Sequence, residues 1–448
     1  MKKLHQPINL KPKTLTIIGG VILLIIILLG GTIVLQNLPT TKTISTADEK
    51  NVYVEFLSEI YDKIQTNYWE IISDEDLFKL YKAGVEKLEK TPEVTIANDQ
   101  TGMRSMVSKI IDDLDTIEAK KEFTVNLATI VLYNLQPLGR SGLYNIKKET
   151  ELWNNVKNID PETDLYDEIG VDKEANTEQI TQAAEKKASE LNKVLTDSTK
   201  SEEEKQVATG QLAKVERAQE TLTQAAARAT YNQSGVEATV YGERLTNNIL
   251  HLKIKKMSPT TLNELNQVAT EFDQYDQLDT LILDLRDNIG GSIDLMPYLL
   301  GPFIGPGQYA YETYHQGEYE PYKTKIGWLP GLVRYKQVVI LQNEIGQSSA
   351  EVMAATLKKY NVGILVGTKS RGWGTIEAVF DIDNQIDETE TYKMFLVHSV
   401  TLRDDNQPIE GRGIDPLVNI NDTDWIKQLS SYINNQTLVN EVKKLINN

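Results

Sequence analysis

The sequence predicts an α/β protein built from several successive segments, and three patterns support this fold class. In the carboxyl-terminal half, short apolar runs such as Ile249–Ile254 alternate with stretches of helical spacing, which is typical of helices packed on a sheet. Residues 52–135 carry apolar side chains at helical spacing. Residues 15–35 form one uncharged apolar stretch of membrane-spanning length. We therefore predict a membrane-anchoring helix, an amino-terminal helical region and a mixed α/β core.

Composition and charge exclude several classes of function. The 448 residues suffice for two or three domains, and the formal net charge of -17 argues against a nucleic-acid partner, because phosphate binding requires a basic surface. The chain has no cysteine and only four histidines, which excludes disulfides, thiolate catalysis and the usual zinc sites. We therefore expect no metal and no cofactor, although the lack of cysteine does not identify the compartment.

Residues 15–35 are predicted to be a single transmembrane helix. Lysines precede this stretch at positions 2, 3, 11 and 13, whereas Lys42 follows it alone and is soon balanced by acidic residues. By the positive-inside rule, residues 1–14 lie in the cytoplasm and the body of the protein lies outside, after a polar linker over residues 36–50. A cleaved signal peptide is the alternative, but the apolar run is long and no clear A-x-A site follows it.

Residues 51–158 are predicted to be a helical amino-terminal region. Two apolar stripes have the spacing of buried helix faces. The first consists of Val54, Leu57, Ile60, Tyr61, Ile64 and Tyr68, and the second of Leu77, Leu80, Tyr81, Gly84, Val85 and Leu88. Ser73 or Asp74 is the candidate cap of the second helix.

A serine at a predicted strand-to-helix junction is the candidate functional residue. The apolar run 338–341 predicts a buried strand, and helical spacing resumes at Val352. Ser348 therefore lies just before the first turn of a helix, where free backbone N–H groups can receive developing negative charge. A second strand, residues 363–367, leads into the loop Gly372-Trp373-Gly374.

This stretch resembles the C-terminal processing peptidases, also called tail-specific serine proteases. Their pattern is N-x-x-S-A-S-A-S-E, then a helix, a strand and G-E-x-T-x-G-K-G-x-x-Q. The matching residues here are Asn343, Ser348, Glu351, Gly367, Gly372 and Gly374. The resemblance implies a crotonase-like α/β core over residues 238–424, with Ser348 as the nucleophile. At the position of the family's general-base lysine this chain has Trp373, and at that of the supporting glutamine it has Glu377.

Two further segments of the core resemble the same family. Residues 284–291 read D-L-R-D-N-I-G-G, close to the family's D-L-R-x-N-x-G-G turn, and residues 403–416 are similar to its closing segment. The resemblance implies that backbone N–H groups of Gly290, Gly291 and Ser349 form an oxyanion hole. The alternative is a tight turn that needs only the flexibility of glycine.

Residues 160–235 resemble a J-domain, the module with which co-chaperones engage Hsp70 partners, and they lie where the peptidase family carries a PDZ domain. The match begins at D-L-Y-D-E-I-G-V-D-K-E-A and ends at A-Q-E-T-L-T-Q-A-A-A-R-A-T-Y-N-Q-S-G. Asn176 and Gln179 predict a capping box on its first long helix. The His-Pro-Asp motif that stimulates the chaperone is replaced by Asn192-Lys193-Val194. We therefore expect a degenerate J-domain-like module with a structural or partner-binding role, and no Hsp70 partner.

The residue at the base position leads to two functional hypotheses. A lysine base acts as a neutral amine of lowered pKa beside the serine, whereas an indole has an N–H donor and no acceptor for a proton. The first hypothesis is therefore a pseudopeptidase or polypeptide-binding scaffold that retains Ser348. The second is an active serine endopeptidase that cleaves C-terminal regions with a relocated base, namely Lys369, Glu377 or a histidine.

The histidines have no sequence context that marks one of them as the partner of Ser348. His251 and His398 lie in predicted strands, where a hydrogen-bonded core histidine is the commoner outcome. His315 lies in residues 301–331, a stretch rich in Gly, Pro and Tyr that predicts a long surface excursion.

The expected partners are polypeptide tails and, through one helix, the membrane. Residues 425–448 predict a carboxyl-terminal amphipathic helix. The oligomeric state is left open by the sequence.

Overall fold

The computed structural model describes residues 49–88, 90, 97–403 and 405–447. The predicted cytoplasmic terminus and transmembrane helix, residues 1–35, lie outside this part of the chain, as does most of the linker. No helix within the described ranges is both long and apolar enough to cross a membrane.

Four helices form the amino-terminal region. They are α1 (Glu49–Asn67), α2 (Asp74–Lys87), α3 (Gln100–Asp112) and α4 (Ile117–Asn134). The first predicted stripe is buried throughout, and in the second only Leu80 and Leu88 are partly exposed. Ser73 caps α2, because its hydroxyl accepts a hydrogen bond from the N–H of Asp76 at 3.1 Å. The periodicity of this region is therefore confirmed.

A short strand interrupts the region that the sequence predicts to be helical. Residues Gly142–Asn145 form β1, which pairs antiparallel with residues 392–395, and α5 (Ile146–Lys157) follows it directly. The prediction of a purely helical segment over residues 51–158 is wrong at this point. Four residues are too few to set a period, and the hydrogen-bonding partner lies far along the chain.

Residues 160–235 form a small helical module. Its helices are α6 (Leu165–Ile169), α7 (Thr177–Thr196), α8 (Glu202–Thr223) and α9 (Ala225–Ser234). Eight residues form its own core: Leu165, Tyr166, Ile169, Ile180, Ala184, Val215, Ala218 and Leu222. The capping box is present, since Asn176 and Gln179 exchange hydrogen bonds of 2.8 and 2.9 Å. Asn192-Lys193-Val194 lie within α7 itself. The likeness to a J-domain stays a prediction.

A six-stranded sheet forms the centre of the carboxyl-terminal half. Its strands are β2 (Val240–Arg244), β3 (Ile249–Ile254), β4 (Thr280–Asp284), β7 (Gln337–Gln342), β8 (Ile364–Gly367) and β11 (Val418–Asn419). Their order across the sheet is β11-β8-β7-β4-β3-β2, and only β2 runs antiparallel to its neighbour. The strands predicted on either side of Ser348 are therefore adjacent and parallel.

Helices cover both faces of this sheet, because its side chains alternate between two apolar clusters. Leu250 and Ile340 pack with α10 (Thr261–Asp273) and α14 (Ser349–Lys359) on one face. On the other face, Ile282 and Val339 pack with α15 (Trp425–Tyr432) and α16 (Gln436–Asn447). The single carboxyl-terminal helix predicted over residues 425–448 is thus two helices, and the side chain of Asn435 caps the second through the N–H of Leu438 at 3.1 Å.

A second sheet joins the amino-terminal helices to the core. Its other strands are β5 (Tyr309–His315), β6 (Glu318–Lys323), β9 (Thr375–Asp381) and β10 (Tyr392–Leu402), in the order β1-β10-β5-β6 with β9 also paired to β10. The prediction of a surface excursion over residues 301–331 is wrong. This stretch contains the β5–β6 hairpin and a buried turn of helix at Phe303, and pairing with β10 stabilises it despite its Gly- and Pro-rich composition.

Short helical turns complete the core: a 3-10 turn at Ile293–Leu295, α11 (Met296–Leu299), α12 (Gly301–Ile304) and α13 (Pro330–Val333).

Candidate active site

Ser348 lies on a tight turn between β7 and α14. Its φ angle is 57°, which is a strained value for a residue with a side chain and costs on the order of 1–3 kcal/mol. Two hydrogen bonds hold the turn, because the Ser348 N–H donates to Glu351 Oε2 at 2.9 Å and the Glu351 N–H donates to the Ser348 carbonyl at 2.8 Å. The serine hydroxyl is thereby placed at the amino end of the helix, as the sequence predicts.

The carboxylate of Glu351 connects the serine turn to the loop that carries Trp373. It is 1% exposed and accepts four hydrogen bonds. These come from the Ser370 hydroxyl at 2.5 Å and from the backbone N–H groups of Gly372 at 2.7 Å, Trp373 at 2.8 Å and Ser348 at 2.9 Å. Burial raises the pKa of Glu351, although the four donors oppose that shift. Glu351 therefore fixes the distance between the nucleophile position and the base position.

The D-L-R-D-N-I-G-G turn lies against the serine turn. A Cβ built on Gly290 would come within 2.7 Å of Ser348 Cβ, and one on Gly291 would come within 2.1 Å of the Met257 carbonyl oxygen. Both glycines have positive φ, 85° and 141°. Only glycine permits this approach of two backbones.

Of the three predicted oxyanion-hole groups, two have free donors. The Gly290 N–H donates to Asn288 Oδ1 at 2.8 Å and is therefore occupied. Within the described residues, the N–H groups of Gly291 and Ser349 have no hydrogen-bond acceptor. The Ser349 hydroxyl donates to the Gly291 carbonyl at 2.9 Å, which holds these two residues together. The N–H groups of Gly291 and Ser349, unlike that of Gly290, are therefore available to donate to a ligand.

Asn343 joins the two turns. Its Oδ1 accepts from the Asp287 N–H at 2.9 Å, and its Nδ2 donates to Asp287 Oδ1 at 2.8 Å. A backbone hydrogen bond of 3.0 Å from Gln347 to the Asn288 carbonyl lies beside it. The asparagine of the family pattern thus has a positioning role here.

Trp373 occupies the base position and is held on several sides. Its indole N–H donates to Glu377 Oε1 at 3.3 Å, and the guanidinium carbon of Arg140 lies 3.2 Å from the centre of its ring. Glu377 also accepts from the Thr375 hydroxyl at 2.6 Å, and burial raises the pKa of its carboxyl. Arg140 in turn donates to Glu410 Oε1 at 2.9 Å.

The closing segment of the core fixes the Trp373 loop. Glu410 Oε2 accepts from the Gly374 N–H at 2.7 Å, and the Gly411 N–H donates to the Gly372 carbonyl at 2.9 Å. A Cβ on Gly374 would lie 2.2 Å from the backbone nitrogen of Glu410, so the second glycine of G-W-G is required by packing.

Two of the proposed substitute bases, Lys369 and His251, have acidic partners of their own. The Lys369 ammonium lies 3.4 Å from Asp415 Oδ1, and its side chain is 53% exposed. His251 bonds to the buried Asp284 at 3.1 Å. Among the described residues, no side chain makes a hydrogen bond to the Ser348 hydroxyl.

Arg140 and Glu410 are the site residues that sequence reasoning missed. Arg140 follows the amino-terminal helices, 270 positions before its partner Glu410. No local pattern marks it, because its role arises only where the helical region packs against the core.

Comparison with known proteins agrees with this geometry. Residues 248–420 match the model of peptidase family S41. The carboxy-terminal processing protease CtpA of Bacillus subtilis (strain 168) is 30% identical over 190 residues, which cover 42% of this chain and 38% of that protein. A probable CtpA-like serine protease of Staphylococcus aureus (strain bovine RF122 / ET3-1) is 28% identical over 187 residues, 42% of this chain and 36% of its own length. The matches thus span less than half of each relative.

One solved structure, titled photosystem II D1 C-terminal processing protease, aligns with 41% of this chain and 49% of its own at 18% identity and a TM-score of 0.37. Residues 248–420 are thus similar in sequence to peptidase family S41. The relatives matched by these residues are C-terminal processing proteases.

Proposed function

We propose that this protein is a membrane-anchored pseudopeptidase, which binds polypeptide tails through its S41 domain without cleaving them. The observation that carries the proposal is Trp373, whose indole N–H is committed to Glu377 at the position of the general base. The indole cannot take the proton of Ser348, since it has no acceptor atom. Loss of one member of a catalytic set lowers kcat by about 10^4 to 10^6 in serine proteases.

The neighbours of Trp373 support the same reading. Arg140 stacks on the indole, and its guanidinium stays protonated at any usable pH. Lys369 is engaged by Asp415 at the surface. Arg140 is therefore charged and Lys369 is paired with an acidic residue, while Glu377 already accepts hydrogen bonds from Trp373 and Thr375.

The rest of the site supports binding. The turn at Ser348 keeps its strained φ angle and its hydrogen bond to Glu351. Beside it, the Ser349 hydroxyl holds Gly291 close, and the backbone N–H groups of Gly291 and Ser349 are free. Such groups orient a peptide carbonyl whether or not a bond is broken. The relatives are named for processing carboxyl termini, and by this likeness we assign polypeptide tails as the ligand.

The proposal also places the domain outside the cytoplasm, on a single transmembrane helix at residues 15–35. The lysines that precede this stretch support that orientation. Residues 160–235 take the position of a substrate-recognition domain, and we assign them a structural or partner-binding role without an Hsp70 partner.

The decisive measurement is cleavage of unstructured polypeptides by the full chain, compared with its Ser348→Ala variant. We expect both to show the same background cleavage while both bind the polypeptide in a fluorescence-anisotropy titration. Cleavage that disappears with Ser348→Ala would show that the protein is an active peptidase. An absence of binding in both would contradict the scaffold role.

A further inference from the structure

A cleft of about 380 Å³ opens beside the candidate active site. We call it the Tyr311 cleft, and Tyr311, Ile293 and Ile376 are among its lining residues. Its walls come from the 3-10 turn Ile293–Leu295, which follows the D-L-R-D-N-I-G-G turn, from the β5–β6 hairpin and from strands β9 and β10. It is a separate space from Ser348, Trp373 and the oxyanion pair, none of which lines it.

The position of the cleft links it to a polypeptide bound at Ser348. Ile293 follows Gly291 by two residues, and Ile376 lies three residues after Trp373. The two loops that form opposite sides of the serine site therefore both continue into the cleft. At no more than about 3.5 Å per residue, Ile293 lies within about 7 Å of Gly291 and Ile376 within about 11 Å of Trp373 along the chain.

The charged residues of the cleft are all acidic. Asp294, Glu318 and Glu320 line it, and no lysine or arginine does. Two of them, Glu318 and Glu320, lie on the exposed strand β6, while Asp294 faces them from the 3-10 turn. The cleft therefore offers negative charge from two elements.

A stacked pair of histidines adds an acceptor to the same space. The rings of His315 and His398 lie 4.3 Å apart and nearly parallel. His315 Nδ1 is 2.6 Å from the His398 carbonyl, which can only accept, so Nδ1 carries the proton and Nε2 is an acceptor in the neutral ring. Burial and the neighbouring His315 lower the pKa of His398, which favours the neutral form of His398.

Aromatic rings form the apolar part of the wall. Tyr311 and Tyr322 stack with their centres 4.6 Å apart, and Tyr319 is 59% exposed beside them. The faces of such rings attract cations, most strongly where water is partly excluded. Acidic groups and tyrosine faces both attract the same class of ligand, an organic cation with N–H donors.

We propose that the Tyr311 cleft binds a lysine or arginine side chain of the polypeptide held at Ser348. This inference rests on the proposed function, because it assigns the side chain that the same site selects. Long cationic side chains fit the cleft, since their methylenes pack on tyrosine while the charged end reaches the carboxylates.

The test uses fluorescent, unstructured peptides with a free carboxyl terminus, in which one lysine is placed at each position in turn. Each peptide has a partner with acetyl-lysine at the same position, which keeps the length and removes the charge. Binding is measured by anisotropy with the full chain carrying Ser348→Ala, so that turnover cannot affect the titration. At one position we expect the lysine peptide to bind about tenfold more tightly than its acetylated partner.

A matched pair of variants separates the cleft from the overall negative charge. The cleft variant combines Asp294→Asn, Glu318→Gln and Glu320→Gln. The control variant removes three exposed charges elsewhere, through Glu243→Gln, Glu271→Gln and Asp276→Asn. We expect the cleft variant to lose the lysine preference and the control variant to keep it, because both have the same net charge.

The outcomes distinguish this inference from the proposed function. Equal binding of lysine and acetyl-lysine peptides, or loss of the preference in both variants, would overturn the inference and leave a polypeptide-binding pseudopeptidase in place. Ser348-dependent cleavage by the wild-type chain would overturn the pseudopeptidase, while the lysine preference of the Ser348→Ala protein would still support the cleft. Failure of every peptide to bind would contradict both.

Discussion

At the scale of single residues, Trp373 and Glu377 stand where the peptidase family that this chain resembles has lysine and glutamine, and the proposed function rests on this difference. The two replacements match each other, because the indole N–H needs an acceptor and the carboxylate provides one at 3.3 Å. The carboxylate is mostly removed from water, and burial raises its pKa. Because ionisation of this carboxylate is unfavourable in the folded protein, it lowers the free energy of unfolding at pH values above its raised pKa.

Glu377→Gln is therefore expected to stabilise the protein at pH 8 and to leave it unchanged at pH 4. A group whose pKa is raised in the folded state contributes stability below its unfolded pKa of about 4.3, and this contribution is lost as the pH rises through the folded value. Glutamine stays neutral at every pH and can still accept from Trp373 and Thr375. Urea unfolding of both proteins at the two pH values measures the difference.

Glu271→Gln is the control for that measurement, because Glu271 is exposed on α10. It should show no gain at either pH. A Glu377→Gln protein that is less stable than wild type at pH 8 would mean that the ionised carboxylate is favourable where it lies.

At the scale of elements, the site consists of two turns and one loop. Three side chains fix their relative positions through hydrogen bonds. Asn343 connects the Ser348 turn to the D-L-R-D-N-I-G-G turn, and Glu351 connects the Ser348 turn to the Trp373 loop. Glu410 connects the Trp373 loop to the closing segment. All three connections are intact while the base is absent. Restoring the family residues should therefore restore chemistry.

Trp373→Lys combined with Glu377→Gln is expected to give cleavage of unstructured polypeptides that depends on Ser348. Trp373→Lys alone should be about tenfold less active, because the carboxylate of Glu377 would favour the protonated ammonium. Initial rates at pH 8 compare the two proteins.

The triple variant that adds Ser348→Ala to these two substitutions is the control and should be inactive. If the double variant shows no serine-dependent rate although it folds and binds peptide, more than the base is missing from the site.

At the scale of the whole molecule, the absence of cysteine allows a direct test of the proposed membrane topology. Gln211→Cys introduces one thiol on the exposed face of α8, and Gln6→Cys introduces one before the predicted transmembrane helix. In intact cells, a membrane-impermeant maleimide should label the protein with Gln211→Cys and label the protein with Gln6→Cys only after lysis.

The cysteine-free wild type is the control for nonspecific labelling. Labelling of Gln6→Cys in intact cells together with protection of Gln211→Cys would reverse the proposed orientation. Loss of residues 1–35 from the mature protein, read by mass, would favour the cleaved signal peptide.

Much of the fold follows from local patterns in the chain. The stripe from Val54 to Tyr68, the Asn176 capping box and the strand Ile249–Ile254 appear in the structure as the periodicity indicates. These features are set by residues close in sequence, so a window of a few turns contains the information. Strands β1 and β5 escaped prediction, because both pair with the distant strand β10.

By itself, the sequence determined the likeness to S41 peptidases around Ser348 and the presence of Trp373 within that stretch, since both are read from residue identities at fixed spacing. Only the tertiary structure decided that Gly290 is not a free oxyanion donor, that Lys369 pairs with Asp415, and that Arg140 covers the indole. It also brought the acidic residues of two separate elements into one cleft with stacked tyrosines. The physical reason is that hydrogen-bond occupancy and enclosed space depend on contacts between distant segments, which no local pattern specifies.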